Sequence, residues 1–455
     1  MQDTLAFPPR FLWGAATSAY QIEGSPLADG AGASIWHRFA HTPGRTLRGM
    51  TGDVACDHYR RVPEDIGLMR SIGLGSYRFS VAWGRVLPDG VGRVNEAGMS
   101  FYERLVDGLL EAGISPMLTL FHWDLPAALE DRGGWLNPDM PKWFADYAGT
   151  LFARLGERVP MWCTLNEPWV VVDAGYVHGV NAPGHRDFYE APRAAHGLMS
   201  SHAAAVRRFR ECSMGSAQIG LVVNLAPHLP ATGSPADVAA AARGHAYFNE
   251  QYLDPAYLGR YPEAVKQMYG EAWPEHAPEE LEALHAPFDF LGINWYTGID
   301  VRDDPSRPPQ CVAEVPGERG EKMTTGWEVR PDLLIETLTW VTARYGKMPI
   351  YITENGAAFP DPDRATDGRV EDPLRTDYLR RHIAAIRRAM AQGVDLRGYF
   401  VWSLMDNFEW ASGYSHRMGL LHVDYETQQR TLKASGEFYR DVIRTNGACV
   451  GDSLD

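Results

Sequence analysis

Between Pro116 and Pro168 the chain reads PMLTLFHWD (116–124), then PKWFADYAGTLFARLG (141–156), then MWCTLNEP (161–168). The first and third runs are short and apolar, and they turn polar only at their C-terminal ends, as parallel strands covered on both faces do. The middle run carries apolar residues at helical spacing and closes on Gly156 at a C-cap position. Strand, helix, strand in that order is the repeat of an α/β fold with parallel strands.

The alternation continues in both directions. Upstream lie FLWGAAT at Phe11 and SYRFSVAW at Ser76; downstream lie QIGLVVNL at Gln218, FDFLGINWYT at Phe288, PIYITENG at Pro349 and GYFVWSLMDNFEW at Gly398. Amphipathic segments such as PEDIGLMRSIG, FYERLVDGLLEAG and TDYLRRHIAAIRRAMAQG fall between them. Eight such repeats predict an α/β fold, a single (β/α)8 TIM barrel spanning 1–455 with its core at about 8–443. A minimal barrel takes ~250 residues, so the remaining ~200 are expected in extended loops around the mouth. The stretch 302–321, rich in Pro, Gly and charge, reads as the longest irregular loop.

In a barrel the C-terminal strand ends converge on one face, where active sites are built. Gln21, His122, Trp123, Asn166, Glu167, Asn294, Tyr296, Glu354, Trp402 and Glu409 all stand at or just beyond such an end.

Composition narrows the function. The 455 residues are 45% hydrophobic and 22% charged, with a formal net charge of −15, which suits a globular chain with a large core and repels nucleic-acid phosphates and anionic lipid. A small neutral or cationic substrate is expected, with no nucleic acid and no membrane as partners; a homo-oligomer is left open. The segment MQDTLAFPPRFLWGAAT has no basic stretch leading into an apolar run, and the five cysteines are odd in number, scattered, and without a C-x-x-C pair. Both features predict a cytoplasmic protein. No H-x-H or H-E-x-x-H spacing accompanies His58, His122 and the nearby Asp residues, so no metal and no organic cofactor are expected. Fourteen Trp and 20 Tyr offer faces for sugar C–H bonds, although rings of that size mostly fill cores.

Two strand-end carboxylates stand out. Thr164-Leu165-Asn166-Glu167-Pro168 ends one strand, with the proline expected to hold Glu167 extended. Ile352-Thr353-Glu354-Asn355-Gly356 ends another, with the glycine expected to permit a sharp turn and leave room for a ligand. On strands four and seven of one barrel the pair would face each other across the mouth, the arrangement glycoside hydrolysis requires. A separation of ~5–5.5 Å implies retention of configuration and ~6.5–9.5 Å inversion, and spacing along the chain leaves both open. Arg78 is placed to supply positive charge beside Glu354, and Tyr296 to donate to it. A lone strand-end Glu is more often a capping or solvated charge, so the pairing carries the reading.

The motifs FLWGAATSAYQIEG, SYRFSVAW, FHWDLP, TLNEP, ITENG and WSLMDNFEW, in this order, resemble glycoside hydrolase family 1, the β-glucosidase family, from Phe11 to about Arg440. The resemblance implies a (β/α)8 barrel and retaining double displacement, with Glu167 as acid/base and Glu354 as nucleophile. It also implies that Gln21 and His122 meet equatorial hydroxyls, Asn166 the 2-hydroxyl, and Glu409 the 4- and 6-hydroxyls. Trp402 would be the sugar platform and Trp410 its edge. Trp123 and Asn294 join the substrate-binding set, and Trp327, in GWE, would line the leaving-group side with Trp169, Asn224 and His178. Two departures are visible: Asn294-Trp295-Tyr296 where the family usually has Asn-Tyr-Tyr, and Met418 after GYSHR where it usually has an aromatic residue near the 6-hydroxyl.

The substrates so implied are β-glucosides or cello-oligosaccharides, with β-galactosides and β-fucosides as further candidates. A 6-phospho-β-glycosidase and a catalytically inactive sugar-binding barrel are the alternatives. The carboxylate at Glu409 would repel a phosphate, and the presence of both glutamates opposes the second.

Overall fold

The computed structural model describes residues 6–212, 214–317, 320–451 and 453–454. Eight parallel strands close a barrel: β1 (Leu12–Ala16), β2 (Ser76–Ser80), β3 (Ser115–Phe121), β4 (Met161–Asn166), β5 (Gln218–Asn224), β6 (Phe290–Asn294), β7 (Ile350–Asn355) and β8 (Leu396–Trp402). Each strand pairs with its neighbours in sequence, and β8 closes onto β1. All eight predicted runs are barrel strands.

The helices between them bury the stripes that periodicity marked. In Met140–Leu155 the buried set includes Trp143, Phe144, Tyr147, Leu151 and Leu155, spaced three and four apart. Gly73 ends the helix His58–Ile72 at φ 85°, a conformation that costs a side-chain-bearing residue far more. Gly156, expected as a similar cap, instead continues into a short 3-10 turn at φ −48°.

The barrel interior is a packed core. Met117, Met161, Cys163, Val222, Phe290, Tyr351 and Phe400 form one buried cluster that ends upward in Trp402 and Met418. Large rings need small partners: a Cβ on Gly14 would sit 2.4 Å from the Phe400 ring, and one on Gly220 2.4 Å from the Phe290 ring. Alternating ring and glycine lets the layers interdigitate at crystal-like density.

The stretch 302–321 is less irregular than expected. Ile299–Asp303 and Val312–Glu314 pair antiparallel, and His228–Pro230 adds a third strand, so the loop is built on a small sheet beside the mouth; residues 318–319 lie outside those described. No helix among the described residues is long and apolar enough to cross a membrane.

Candidate active site

A cavity of about 840 Å³ opens at the C-terminal end of the barrel, and both Glu167 and Glu354 line it. Their strands are locally irregular at just this level. The register between β4 and β5 shifts between Cys163 and Asn166, and that between β7 and β6 shifts between Ile352 and Glu354. Such bulges re-aim the side chain that follows.

Glu167 is not extended. Its backbone is left-handed at φ 48°, ψ 65°, and Pro168 is the first residue of the helix that follows. Proline suits that first position because its missing N–H has no partner there anyway. Glu167 therefore occupies the N-cap, yet its side chain makes no capping bond, which leaves the carboxyl group to the cavity. Gly356 also serves a purpose other than the expected one. A Cβ there would lie 1.7 Å from the Trp402 carbonyl oxygen, so the glycine admits the neighbouring strand rather than a ligand.

The two carboxyl groups have unlike surroundings. Glu354 accepts from Arg78 Nη1 at 2.6 Å and from the Tyr296 hydroxyl at 2.7 Å. Among the described residues, Glu167 accepts only the Asn294 amide, at 2.6 Å. Burial pushes Glu167 up to about 8, with the Glu354 charge adding to it. Burial also raises Glu354, while Arg78 and then the Tyr296 hydroxyl hold it back. One proton shared between them thus resides on Glu167.

Amides link the pair. Arg78 Nη2 donates to Asn166 Oδ1 at 2.6 Å, and Asn294 Nδ2 donates to the same oxygen at 3.0 Å. Asn166 Nδ2 is thereby turned to His122 Nε2, 3.1 Å away. That bond makes Nε2 the acceptor, so the neutral His122 ring carries its proton on Nδ1; burial, then Arg78, holds this ring well below the usual histidine value. Thr353 Oγ1 donates to Asn294 Oδ1 at 2.7 Å and fixes that amide in turn.

Glu409 lines the cavity, and burial, then the Glu354 charge, pushes it up to about 8. Gln21 lies behind it, fully buried, donating through Nε2 to the Phe408 carbonyl at 2.9 Å and to Glu409 at 3.3 Å. Trp402 both caps the interior core and lines the cavity. Trp410 packs against Trp123 with centroids 4.7 Å apart, and Trp327 against Tyr296 at 5.3 Å.

The structure brings together nearly all the predicted residues. His122, Trp123, Asn294, Tyr296, Trp327, Trp402, Glu409, Trp410 and Met418 line the cavity with the two glutamates, as do Trp169 and Asn224. Arg78, Asn166 and Gln21 are buried just beneath or behind the lining and bonded to residues of the site. His178 is the exception: its side chain is 53% exposed and does not line the cavity. His58 is held by Asp65 at 2.7 Å in a buried pair that Arg430 completes, so it is not available to act with His122. Thr353 and Asn407, which accepts from Gln21 at 3.1 Å, went unread as supports although both lie inside the quoted motifs. Their roles depend on side-chain direction, which a motif does not carry.

Comparison with known proteins agrees with this geometry. The model for glycosyl hydrolase family 1 matches residues 3–448. The chain is 49% identical over 442 residues to beta-glucosidase A of Thermotoga maritima, covering 97% of this chain and 98% of that protein. It is 42% identical over 465 residues to a bifunctional beta-D-glucosidase/beta-D-fucosidase of Bifidobacterium breve, covering 98% and 100% respectively. A solved family 1 β-glucosidase from Thermotoga maritima superposes with a TM-score of 0.95 at 48% identity, over 98% of this chain and 100% of that one. Eight-stranded closure, two carboxyl groups in unlike settings and matches along the whole length converge: the chain belongs to glycosyl hydrolase family 1.

Proposed function

We propose that the protein is a retaining β-glucosidase that releases terminal non-reducing β-D-glucosyl residues by double displacement. The observation that carries this reading is the asymmetry of the carboxyl pair, with a guanidinium and a phenol on Glu354 and an amide alone on Glu167. A group held by two donors, one of them charged, keeps its negative charge and can attack; a buried group beside that charge keeps its proton and can give it away.

In the first step a Glu354 oxygen bonds to the anomeric carbon while the glycosidic C–O bond breaks and the departing oxygen takes the Glu167 proton. The product is a covalent glycosyl ester. As Glu354 loses its charge in the ester, the repulsion that helped to raise Glu167 disappears, and Glu167 becomes a better base for the second step. There it removes a proton from water, the water oxygen bonds to the anomeric carbon, and the ester bond to Glu354 breaks. Two inversions give net retention.

Asn166, held by Arg78, is the group we assign to the 2-hydroxyl, where contacts tighten in the transition state. Glu409 and Trp410 form the end of the pocket remote from the leaving group. The Glu409 carboxyl group supplies no positive charge to hold a 6-phosphate and so favours the plain sugar, and β-galactosides and β-fucosides are secondary substrates. Trp169, Asn224 and Trp327 are assigned to the leaving-group side, which suits cello-oligosaccharides or aryl groups. The test is proton NMR of the first sugar released from an aryl β-glucoside. The β anomer is expected first; initial release of the α anomer would overturn the mechanism.

A further inference from the structure

A second group of ligating side chains lies outside the lining of the sugar pocket. His37 belongs to the helix Ile35–Ala40 and His41 caps its C-terminus, so the two rings share one helix face, with centroids 4.2 Å apart. The loop that follows brings Asp53 against both. Its Oδ2 is 3.0 Å from His41 Nε2 and its Oδ1 3.5 Å from His37 Nδ1. One ligand atom from each of the three residues lies within 4.8 Å of the other two.

The hydrogen bonding leaves lone pairs turned inward. His41 Nδ1 is 2.7 Å from the His37 carbonyl oxygen, which can only accept, so Nδ1 carries the proton and the neutral ring presents a lone pair on Nε2 to the carboxylate. A protonated His41 would satisfy that contact alone. It would not satisfy the His37 Nδ1 or Asp53 Oδ1 atoms, both buried and, among the described residues, without a hydrogen-bond partner.

We propose that His37, His41 and Asp53 form a site for a divalent transition ion of the zinc or nickel class. Two imidazoles and one carboxylate suit such borderline ions, whereas magnesium and calcium prefer an all-oxygen set. The His41 and Asp53 side chains are 42% and 43% exposed, which gives the ion a path in and leaves positions for water. None of the three lines the sugar cavity, so the ion has no part in the hydrolytic steps. Its role is to tie the Asp53 loop to the helix that carries Trp36, whose ring lies 4.5 Å from Trp410.

The site is tested by calorimetric titration of the full chain with zinc chloride at neutral pH. One ion per chain is expected, with binding weakened about tenfold or more in H41Q and in D53N, while both variants still hydrolyse an aryl glucoside. A His276→Gln variant breaks the other compact grouping among the described residues, His196, His276 and Glu280, and should leave the event intact. Absence of a one-to-one event in the unmodified chain, or an event unchanged in both H41Q and D53N, would overturn the proposal.

Discussion

Arg78 spans the two sides of the site: Nη1 donates to Glu354 Oε1 and Nη2 to Asn166 Oδ1, each at 2.6 Å. One buried guanidinium thus fixes the proposed nucleophile and the amide assigned to the 2-hydroxyl relative to each other. Removing either partner leaves a buried cation half satisfied, which costs more than the contact itself contributes.

Replacing Glu354 by glycine removes the nucleophile and opens space on its side of the anomeric carbon. Hydrolysis should fall by several orders of magnitude, because the carboxylate that Arg78 holds for attack is gone. Added azide should attack from that side and yield an α-glucosyl azide from an aryl β-glucoside. The azide product is read by NMR, and failure of rescue in a folded variant would count against the assignment.

Titration gives a second test. The alkaline limb of kcat/KM should follow Glu167, raised to about 8 by burial and then by Glu354, and the acid limb Glu354. Tyr296→Phe removes a donor that favours the charged form of Glu354, so the acid limb must move to higher pH. The rate at the optimum should drop about 10- to 100-fold, the worth of one hydrogen bond to a charged group. Conversely, Glu354→Gln removes the charge that holds Glu167 up, so Glu167 should titrate lower in that variant, as followed by carbon-13 NMR of labelled glutamate. A Glu167 titration unmoved by Glu354→Gln would contradict the coupling.

How much of this was legible in the sequence depends on distance. The eight apolar runs and their polar ends report on local burial, so they located the eight barrel strands and gathered most residues of the mouth, but not the short strands beside it. Local backbone was less legible. Pro168 suggested an extended Glu167, but the bulge in β4 and the helix start just after it impose φ 48°. Proline pushes the residue before it toward an extended conformation, so Glu167 at φ 48° departs from the local preference and is held there by the strand and helix on either side. Gly356 was read from its own neighbours, whereas its reason lies on β8. His178 carried no periodic or motif context, and it faces solvent.

Beneath the loop that carries Glu409 lies a network no motif announced. Lys433 Nζ bonds Asp361 and Asp406 at 2.5 and 2.6 Å, Arg375 bonds Asp361 and Asp372, and Arg417 bonds Asp406, with the Lys433, Asp361 and Asp406 side chains fully buried. Burial alone would raise Asp406, but Lys433, then Arg417 and Arg375, hold it down at about 2. A carboxylate depressed on folding adds stability above its unfolded value of 3.8, and this share is lost as pH falls toward about 2. Lys433→Met leaves two buried carboxylates short of a cation. It should cost ~3–5 kcal/mol in urea unfolding at pH 7 and move the onset of acid unfolding to higher pH. A variant as stable as the parent would show that the two arginines suffice.

Gly356→Ala couples the core to the site. The added methyl group would have to enter 1.7 Å from the Trp402 carbonyl oxygen, and neither strand can retreat freely, because β7 and β8 are locked in the closed barrel. The backbone of β8 must therefore shift, and Trp402, the proposed platform, shifts with it, while Glu354 lies only two residues away on the other strand. The expected outcome is a destabilisation of ~1–3 kcal/mol, the usual cost of overpacking, together with a higher KM for glucosides, since the platform moves relative to Glu409. Denaturant unfolding and steady-state kinetics on one preparation separate the two effects. If stability falls while KM stays at the parental value, the strand yields elsewhere and Trp402 keeps its place. A rise in KM shows that the contact between Gly356 and Trp402 sets the floor of the sugar pocket as well as the closure of the barrel.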